Sequence, residues 1–293
     1  MILEFKGIEK SFGEKAVLKG VSFKAESGKA FGLLGRNGAG KTTAIRILMG
    51  LFPADGGEIL IDGEAIQRGN VGIGYLPEER GLYPKKIIME QLVYFAKLKG
   101  MSHSDAVRSI DYWLERLEMT EYKSKRLDTL SKGNQQKIQM ITALVHDPRI
   151  VILDEPFSGL DPVNAALLKS VVKELIEKDK IVLFSSHQMS YIEEFCDSIA
   201  IINDGCAVLS GDLSDIKRSY ERNRLTVISS DAKRIAEELG DACVINADNS
   251  LTVTLTSEAE KRSVMSAITE KYDIDEISVA EPSLNDIFVE YTA

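Results

Sequence analysis

The sequence predicts an α/β core with a parallel sheet, a helical insert within that core, and a small α+β domain after it. Three observations carry this reading. Short apolar runs such as Ile150–Leu153 and Ile181–Phe184 have the length of buried strands. The apolar period changes from strand-like to helical near Lys85 and back again near Ile150. The segment from Leu225 onward reads strand, helix, strand, strand, helix, strand.

Taken in order, the first 75 residues carry strand signals at Ile2–Phe5, Val17–Phe23, Ala30–Leu34, Glu58–Ile61 and Val71–Tyr75, separated by Gly-bearing turns. A helix is expected over Lys41–Leu48, ending at Gly50. In the insert, Val107, Ile110, Trp113, Leu114 and Leu117 fall on one helical face. Ser102 or Ser104 suits the N-cap of that helix, and Gly100 the end of the one before. Strands return at Ile150–Leu153, Ile181–Ser185 and Ile199–Asn203, with a helix over Pro162–Lys178 between the first two. Strand, helix, strand in that order implies parallel pairing through a crossover.

The tail is expected to form strands at Leu225–Ser229, Cys243–Asn246, Leu251–Thr256 and Ile274–Val279. Helices are expected at Asp231–Leu239 and Ser257–Lys271, with a short one after Pro282. This is a ferredoxin-like order. The boundary is placed in the polar stretch 213–222, giving domains 1–215 and 221–293.

Composition excludes several classes. The 293 residues carry 36 basic and 45 acidic side chains, a net charge of −9, and 44% are hydrophobic. That suits a globular chain with a sizeable core rather than a disordered one. Residues 221–293 hold 7 basic and 15 acidic side chains, so most of the excess acid sits in the tail. No basic stripe suggests nucleic acid as a partner. No apolar run reaches the ~18–20 residues of a membrane span, and the first residues do not read as a signal peptide. Cys196, Cys206 and Cys243 lack metal-ligand spacing and are expected as reduced, buried thiols in a cytosolic protein.

The chemistry begins at Gly35-Arg36-Asn37-Gly38-Ala39-Gly40-Lys41-Thr42, which matches G-x-x-x-x-G-K-[ST]. A strand leads in and a helix leads out. Glycines let successive backbone N–H groups curl toward one phosphate, and the helix N-terminus adds partial positive charge. Lys41 then reaches the β- and γ-phosphates, and the Thr42 hydroxyl suits Mg²⁺. The apolar run Ile150–Leu153 ends in Asp154 and Glu155. Two carboxylates at the end of a buried strand are costly without a task. Beside a phosphate loop, Asp154 suits Mg²⁺ and Glu155 suits the deprotonation of an attacking water.

With these residues, the chain resembles the ATP-binding subunits of ABC transporters. Leu130-Ser131-Lys132-Gly133-Asn134-Gln135 looks like that family's signature, Ser158-Gly159-Leu160-Asp161 like its D-loop, His187 like its switch histidine, and Phe12 like its base-stacking aromatic. The resemblance covers about residues 1–215 and rests on six motifs in the family's order. It implies the P-loop NTPase fold of an ABC ATPase, with a helical subdomain at about 85–145. ATP and Mg²⁺ are the implied cofactors. Gly35, Asn37, Gly38 and Gly40, with Lys41, Thr42 and Thr43, would surround the phosphates. Ser131 and Gly133 would complete the anion site of a second ATPase subunit, identical or not. Asp161 would organise that interface, and His187 would act beside Glu155.

Two departures stand out. Glu78 takes the place of the family's usual Gln, so a carboxylate able to bind Mg²⁺ lies near the triphosphate. Lys132 and Asn134 replace a Gly and a Gln of the signature. The stretch Leu76–Tyr83 and the tail ending Glu281-Pro282-Ser283-Leu284-Asn285-Asp286-Ile287-Phe288 are similar to bacterial efflux ATPases of the sodium-efflux and antibiotic-efflux types. The resemblance therefore implies a cytoplasmic subunit at the inner face of the membrane, driving export through a separate permease. Two other functions compete. A non-transport ABC ATPase acting on ribosomes or DNA usually carries two ATPase modules or a long coiled-coil insert. A small-molecule kinase has no use for the Ser131, Asp161 and His187 motifs.

Overall fold

The computed structural model describes residues 1–67, 71–79, 81–186, 188–220, 223–246, 248–280 and 282–293. They form two compact units, residues 1–213 with 288–293, and residues 214–287.

The first unit opens with a long hairpin of β1 (Ile2–Phe12) and β2 (Lys15–Glu26), followed by β3 (Lys29–Leu34), α1 (Lys41–Leu48), β4 (Gly56–Ile61), β5 (Glu64–Ala65) and β6 (Ile73–Leu76). The helical subdomain contains α2 (Ile88–Leu98), α3 (His103–Arg116) and α4 (Lys132–Leu144). The chain then returns through β7 (Ile150–Asp154), α5 (Pro162–Glu177), β8 (Ile181–Ser185), α6 (Met189–Phe195), β9 (Ser198–Asn203) and β10 (Cys206–Asp212). After α7 (Leu213–Ser219) come β11 (Arg224–Ile228), α8 (Ala232–Leu239), β12 (Cys243–Ile245), β13 (Leu251–Thr254), α9 (Lys261–Lys271), β14 (Glu276–Val279) and α10 (Leu284–Thr292).

The central sheet runs β10-β9-β3-β8-β7-β6, with β9, β3, β8, β7 and β6 parallel and β10 antiparallel at one edge. Strands β7 and β8 are buried at every position. An antiparallel sheet, β2-β1-β4-β5, packs with α1 on one face of the central sheet. Phe5, Phe23 and Phe31 stack through that layer, at centroid distances of 4.2 and 4.8 Å. On the other face Phe157, Phe184 and Phe195 form a second aromatic cluster.

Strands β1 and β2 run well beyond the segments Ile2–Phe5 and Val17–Phe23 that the sequence suggests. Register shifts at Phe5/Ile8, Ile8/Glu9 and Lys10/Ser11 break the period of two, so the alternation that marks a strand fades after Phe5. In α3, Ile110, Trp113, Leu114 and Leu117 are buried and Val107 is half-buried. Ser102, rather than Ser104, caps that helix by accepting from the Asp105 N–H at 3.1 Å.

The second unit has the strand order β12-β13-β11-β14, antiparallel throughout, as its β-α-β-β-α-β sequence requires of a ferredoxin-like sheet. Leu225, Val227, Ile235, Leu251 and Val253 are its buried centre. The last six residues belong to the first unit, where the Asn203 side chain donates to the Tyr291 carbonyl at 3.2 Å. Of the cysteines only Cys196 is buried. Cys206 lies on the edge strand β10 and is exposed, which corrects the expectation of three buried thiols.

The helical subdomain is tied to the core through Glu174 of α5. Its carboxylate accepts from Tyr112 at 2.8 Å and Arg116 at 2.9 Å, both on α3, and from Lys178 at 2.7 Å. Burial pushes the Glu174 carboxyl up, but these donors outweigh it and hold it down to about 2. A depressed folded pKa means the stabilisation is complete above the ordinary carboxylate range and is lost as pH falls from about 4.5 toward 2. Glu174→Gln should therefore lower Tm at neutral pH by ~2–4 °C, an effect of ~1 kcal/mol after allowance for solvent screening. The gap should close as pH approaches 2. Parallel melts of the two proteins across that range, with the gap constant throughout, would contradict this.

Candidate active site

The loop 35–43, Asp154 and Glu155 lie at the C-terminal edge of the parallel sheet, the edge at which α/β proteins bind ligands. The loop from Gly35 to Gly40 joins β3 to α1. Gly40 has φ 115°, and a Cβ placed there would lie 2.6 Å from Leu18 Cδ2. A Cβ at Gly35 would lie 2.4 Å from the Ile202 carbonyl oxygen. Gly35 and Gly40 thus have no room for a side chain against the neighbouring strands. Helix α1 starts at Lys41 with no side-chain cap and no acidic residue in its first turn. Its first N–H groups, including those of Thr42 and Thr43, are the donors that a helix leaves without intrahelical acceptors, an arrangement that suits an anion.

The Lys41 ammonium sits at the mouth of this loop, donating to the carbonyls of Gly35 at 2.6 Å and Arg36 at 3.2 Å. Burial lowers its pKa, opposed by the negative charges of Asp154, Glu155 and Glu78. Those four charged groups therefore share one electrostatic neighbourhood.

Asp154 and Glu155 are 8% and 7% exposed. Asp154 ends β7 and pairs directly with Ser185 at the end of β8. The Tyr75 hydroxyl on β6 donates to Asp154 Oδ2 at 3.3 Å. Burial raises the Asp154 pKa, while Ser185, Tyr75 and Lys41 oppose the rise and the Glu78 charge adds to it. Tyr75 is itself pushed up to about 12 by burial and by the Asp154 charge, so its phenol keeps the proton it donates. Glu155 turns out of the strand at φ 50°, with its N–H bonded to the Ser185 carbonyl at 2.9 Å. The Ser186 hydroxyl donates to Glu155 Oε2 at 2.9 Å and accepts from the Gln188 N–H at 3.1 Å.

Glu78 is exposed in the segment after β6. Gln139, buried on α4, holds that segment by donating to the carbonyls of Pro77 and Glu79, both at 3.1 Å. Gln136 on the same helix donates to the Pro156 carbonyl at 3.4 Å. Helix α4 therefore touches the stretches that carry Glu78 and Glu155.

Phe12 stands at the tip of the β1–β2 hairpin, 49% exposed. The ring of Phe52 meets it edge-on at 5.4 Å, and the Lys10 ammonium lies 5.7 Å from its centroid. Ser131 caps α4 by accepting from the Asn134 N–H at 3.3 Å. Asp161 caps α5 by accepting from the N–H groups of Val163 and Asn164 at 3.1 and 2.9 Å. A Cβ at Gly133 would lie 3.0 Å from Asn164 Nδ2, so the starts of α4 and α5 abut. Ser131, Gly133 and Asp161 form this second cluster. Among the described residues no hydrogen bond or ion pair joins it to the loop 35–43. His187 lies outside the described residues.

Tyr75, Ser185, Ser186 and Gln139 are not singled out by the motifs. The signal for the two serines is a pair of hydroxyls closing the apolar run Ile181–Phe184. Among the described residues no group of three or more His, Cys, Asp or Glu could hold a metal. That donor set excludes an all-protein cage but fits Mg²⁺, which is usually held by one or two carboxylates together with substrate phosphates.

Residues 18–158 match the family model described as ABC transporter, and residues 211–292 match that of the C-terminal domain of DrrA1-3-like ATP-binding proteins. Among curated proteins, the chain is 41% identical to YhaQ of Bacillus subtilis, an uncharacterized ABC transporter ATP-binding protein, over 99% of this chain and 98% of that one. It is 36% identical to the linearmycin resistance ATP-binding protein LnrL of the same organism, over 73% of this chain and 70% of that one. A solved ATP-binding subunit of an ABC transporter is 31% identical, superimposes with a TM-score of 0.68, and corresponds to 75% of this chain and 93% of its own. The loop at Lys41, the carboxylates on β7 and these likenesses agree: the chain belongs to the ABC transporter ATP-binding proteins and is an ATPase subunit that drives transport.

Proposed function

We propose that this subunit hydrolyses Mg·ATP held between the Gly35–Thr43 loop of one copy and the Ser131–Gly133 signature of a second ATPase subunit, and so drives export through a separate membrane permease. One observation carries the reading: the uncapped start of α1 and the Lys41 ammonium follow β3 at the same sheet edge where β7 ends in the buried Asp154 and Glu155 carboxylates.

The backbone N–H groups of Gly38, Gly40, Lys41, Thr42 and Thr43 bind the phosphates, with Gly35 and Asn37 shaping the loop. Phe12 stacks on the adenine, a contact of ~1–3 kcal/mol. Thr42 and Asp154 hold Mg²⁺, with Glu78 close enough to add charge to its surroundings. Bound there, Mg²⁺ offsets the charge of the β- and γ-phosphate oxygens. Glu155 accepts the proton of the attacking water, in line with the γ-phosphate, and Lys41 steadies the charge that develops. His187 hydrogen-bonds the γ-phosphate. Asp161 organises the contact between subunits, supported by its place beside Gly133 at the start of α5.

Among the described residues no helix is long and apolar enough to cross a membrane. A permease is inferred from the family, and export from likeness to proteins such as the Nod factor export ATP-binding protein I of Paraburkholderia xenovorans, 35% identical over 71% of this chain and 70% of that one. The subunit then works at the cytoplasmic face of the membrane. The permease docks near Glu78 and the helical subdomain, a reading supported by the bonds of Gln139 to Pro77 and Glu79.

Lys41→Ala removes a charge-assisted bond worth ~1.5–3 kcal/mol and should weaken ATP binding about 10- to 100-fold in equilibrium titration. Unchanged affinity would remove Lys41 from the phosphate site. Glu155→Gln should keep ATP affinity but cut turnover by about 10²–10⁴-fold, and accumulate an ATP-bound dimer on size exclusion. Native turnover in that variant would show that Glu155 is not the base.

A further inference from the structure

We propose that Tyr75, with Ser185 opposite it, is a positioning residue that holds the Asp154 carboxylate in the orientation needed for the divalent cation. This deepens the Mg·ATP proposal and rests on it.

Sheet register sets the geometry. Tyr75 pairs with Ile152, so Asp154, two residues further along β7, lies diagonally ahead on the same face. A long side chain spans such a diagonal. The phenol oxygen reaches Asp154 Oδ2 at 3.3 Å. Ser185 sits directly opposite Asp154 on the other neighbouring strand, which places its hydroxyl on the far side of the carboxylate. Asp154 is thus flanked by hydroxyl-bearing side chains on both neighbouring strands, and the Tyr75 hydroxyl is bonded to it.

The Tyr75 bond on one side, with the Ser185 side chain on the other, restricts the rotation of the carboxylate and the direction of its remaining lone pairs. The Tyr75 ring is itself held, because it packs against the core cluster that contains Ile152 and Ile45. Second-layer donors of this kind orient metal-binding carboxylates, and their loss commonly costs about 10–100-fold in metal affinity. Phenylalanine would fill the same space yet supply no donor. Tyr75 reaches the cation only through Asp154, so its effect should depend on both the metal and Asp154.

The full-length protein tests this in titrations with a fluorescent ATP analogue, run with Mn²⁺ and again in EDTA. The metal-dependent gain in affinity is the readout. In Tyr75→Phe this gain should fall by about tenfold, with affinity in EDTA unchanged. Ser185→Ala should reduce it in the same direction. In an Asp154→Asn background, Tyr75→Phe should have no further effect. An unchanged gain in Tyr75→Phe overturns the proposal. So does an equal loss with and without metal, which would make Tyr75 a general wall of the pocket. If Tyr75→Phe does not fold, Ser185→Ala decides the matter, and a full metal-dependent gain in that variant overturns the two-sided arrangement. Failure of the unaltered protein to bind the analogue at all would instead count against the Mg·ATP reading itself.

Discussion

The parallel pairing of β7 with β6 and β8 is the constraint on which the site depends. It brings Asp154 level with Ser185 and diagonal to Tyr75, and it aims the Glu155 backbone N–H at the Ser185 carbonyl. Next to β8 lies β3, whose end launches the glycine loop and Lys41. A carboxylate pair at an apolar strand end would be expensive if left alone. Here the Tyr75 hydroxyl on Asp154, the Ser186 hydroxyl on Glu155 and the charge of Lys41 make it tolerable. The strands on either side of β7 therefore supply the hydroxyls that the carboxylates require.

Helix α4 adds a mechanical link. Its first residue follows the Ser131 cap, and its buried face carries Gln136 and Gln139 to the backbone beside Glu155 and around Glu78. The Glu174 cluster fastens α3 to α5, whose N-terminus is Asp161. The subdomain and the two helix caps are in this way mechanically continuous.

Much of the site is legible in the sequence because its parts are local. Gly35 to Thr42 is one continuous stretch, and the Asp154–Glu155 pair closes an apolar run. Helix α1 falls at Lys41–Leu48 as the spacing suggests, and the tail has the expected order of strands and helices. The roles of Tyr75 and Gln139 are not legible, since their partners lie 79 and about 60 residues away. Only sheet register and helix packing bring them together. The long β1–β2 hairpin is hidden for another reason: its register shifts interrupt the alternation that identifies a strand. The regrouping of residues 288–293 with the first unit likewise depends on tertiary contacts such as Asn203 with Tyr291. Composition at the 213–222 stretch carries no trace of it.

The proposed function requires that backbone amides of the β3–α1 loop grip phosphate. Amide chemical shifts of Gly38, Gly40, Lys41 and Thr42, followed during addition of ATP and separately of adenosine, report on that grip residue by residue. Large shifts of these four amides are expected with ATP, and little change with adenosine, which lacks phosphate. Loop amides that stay still while ATP saturates the protein, with shifts confined to another region, would contradict it.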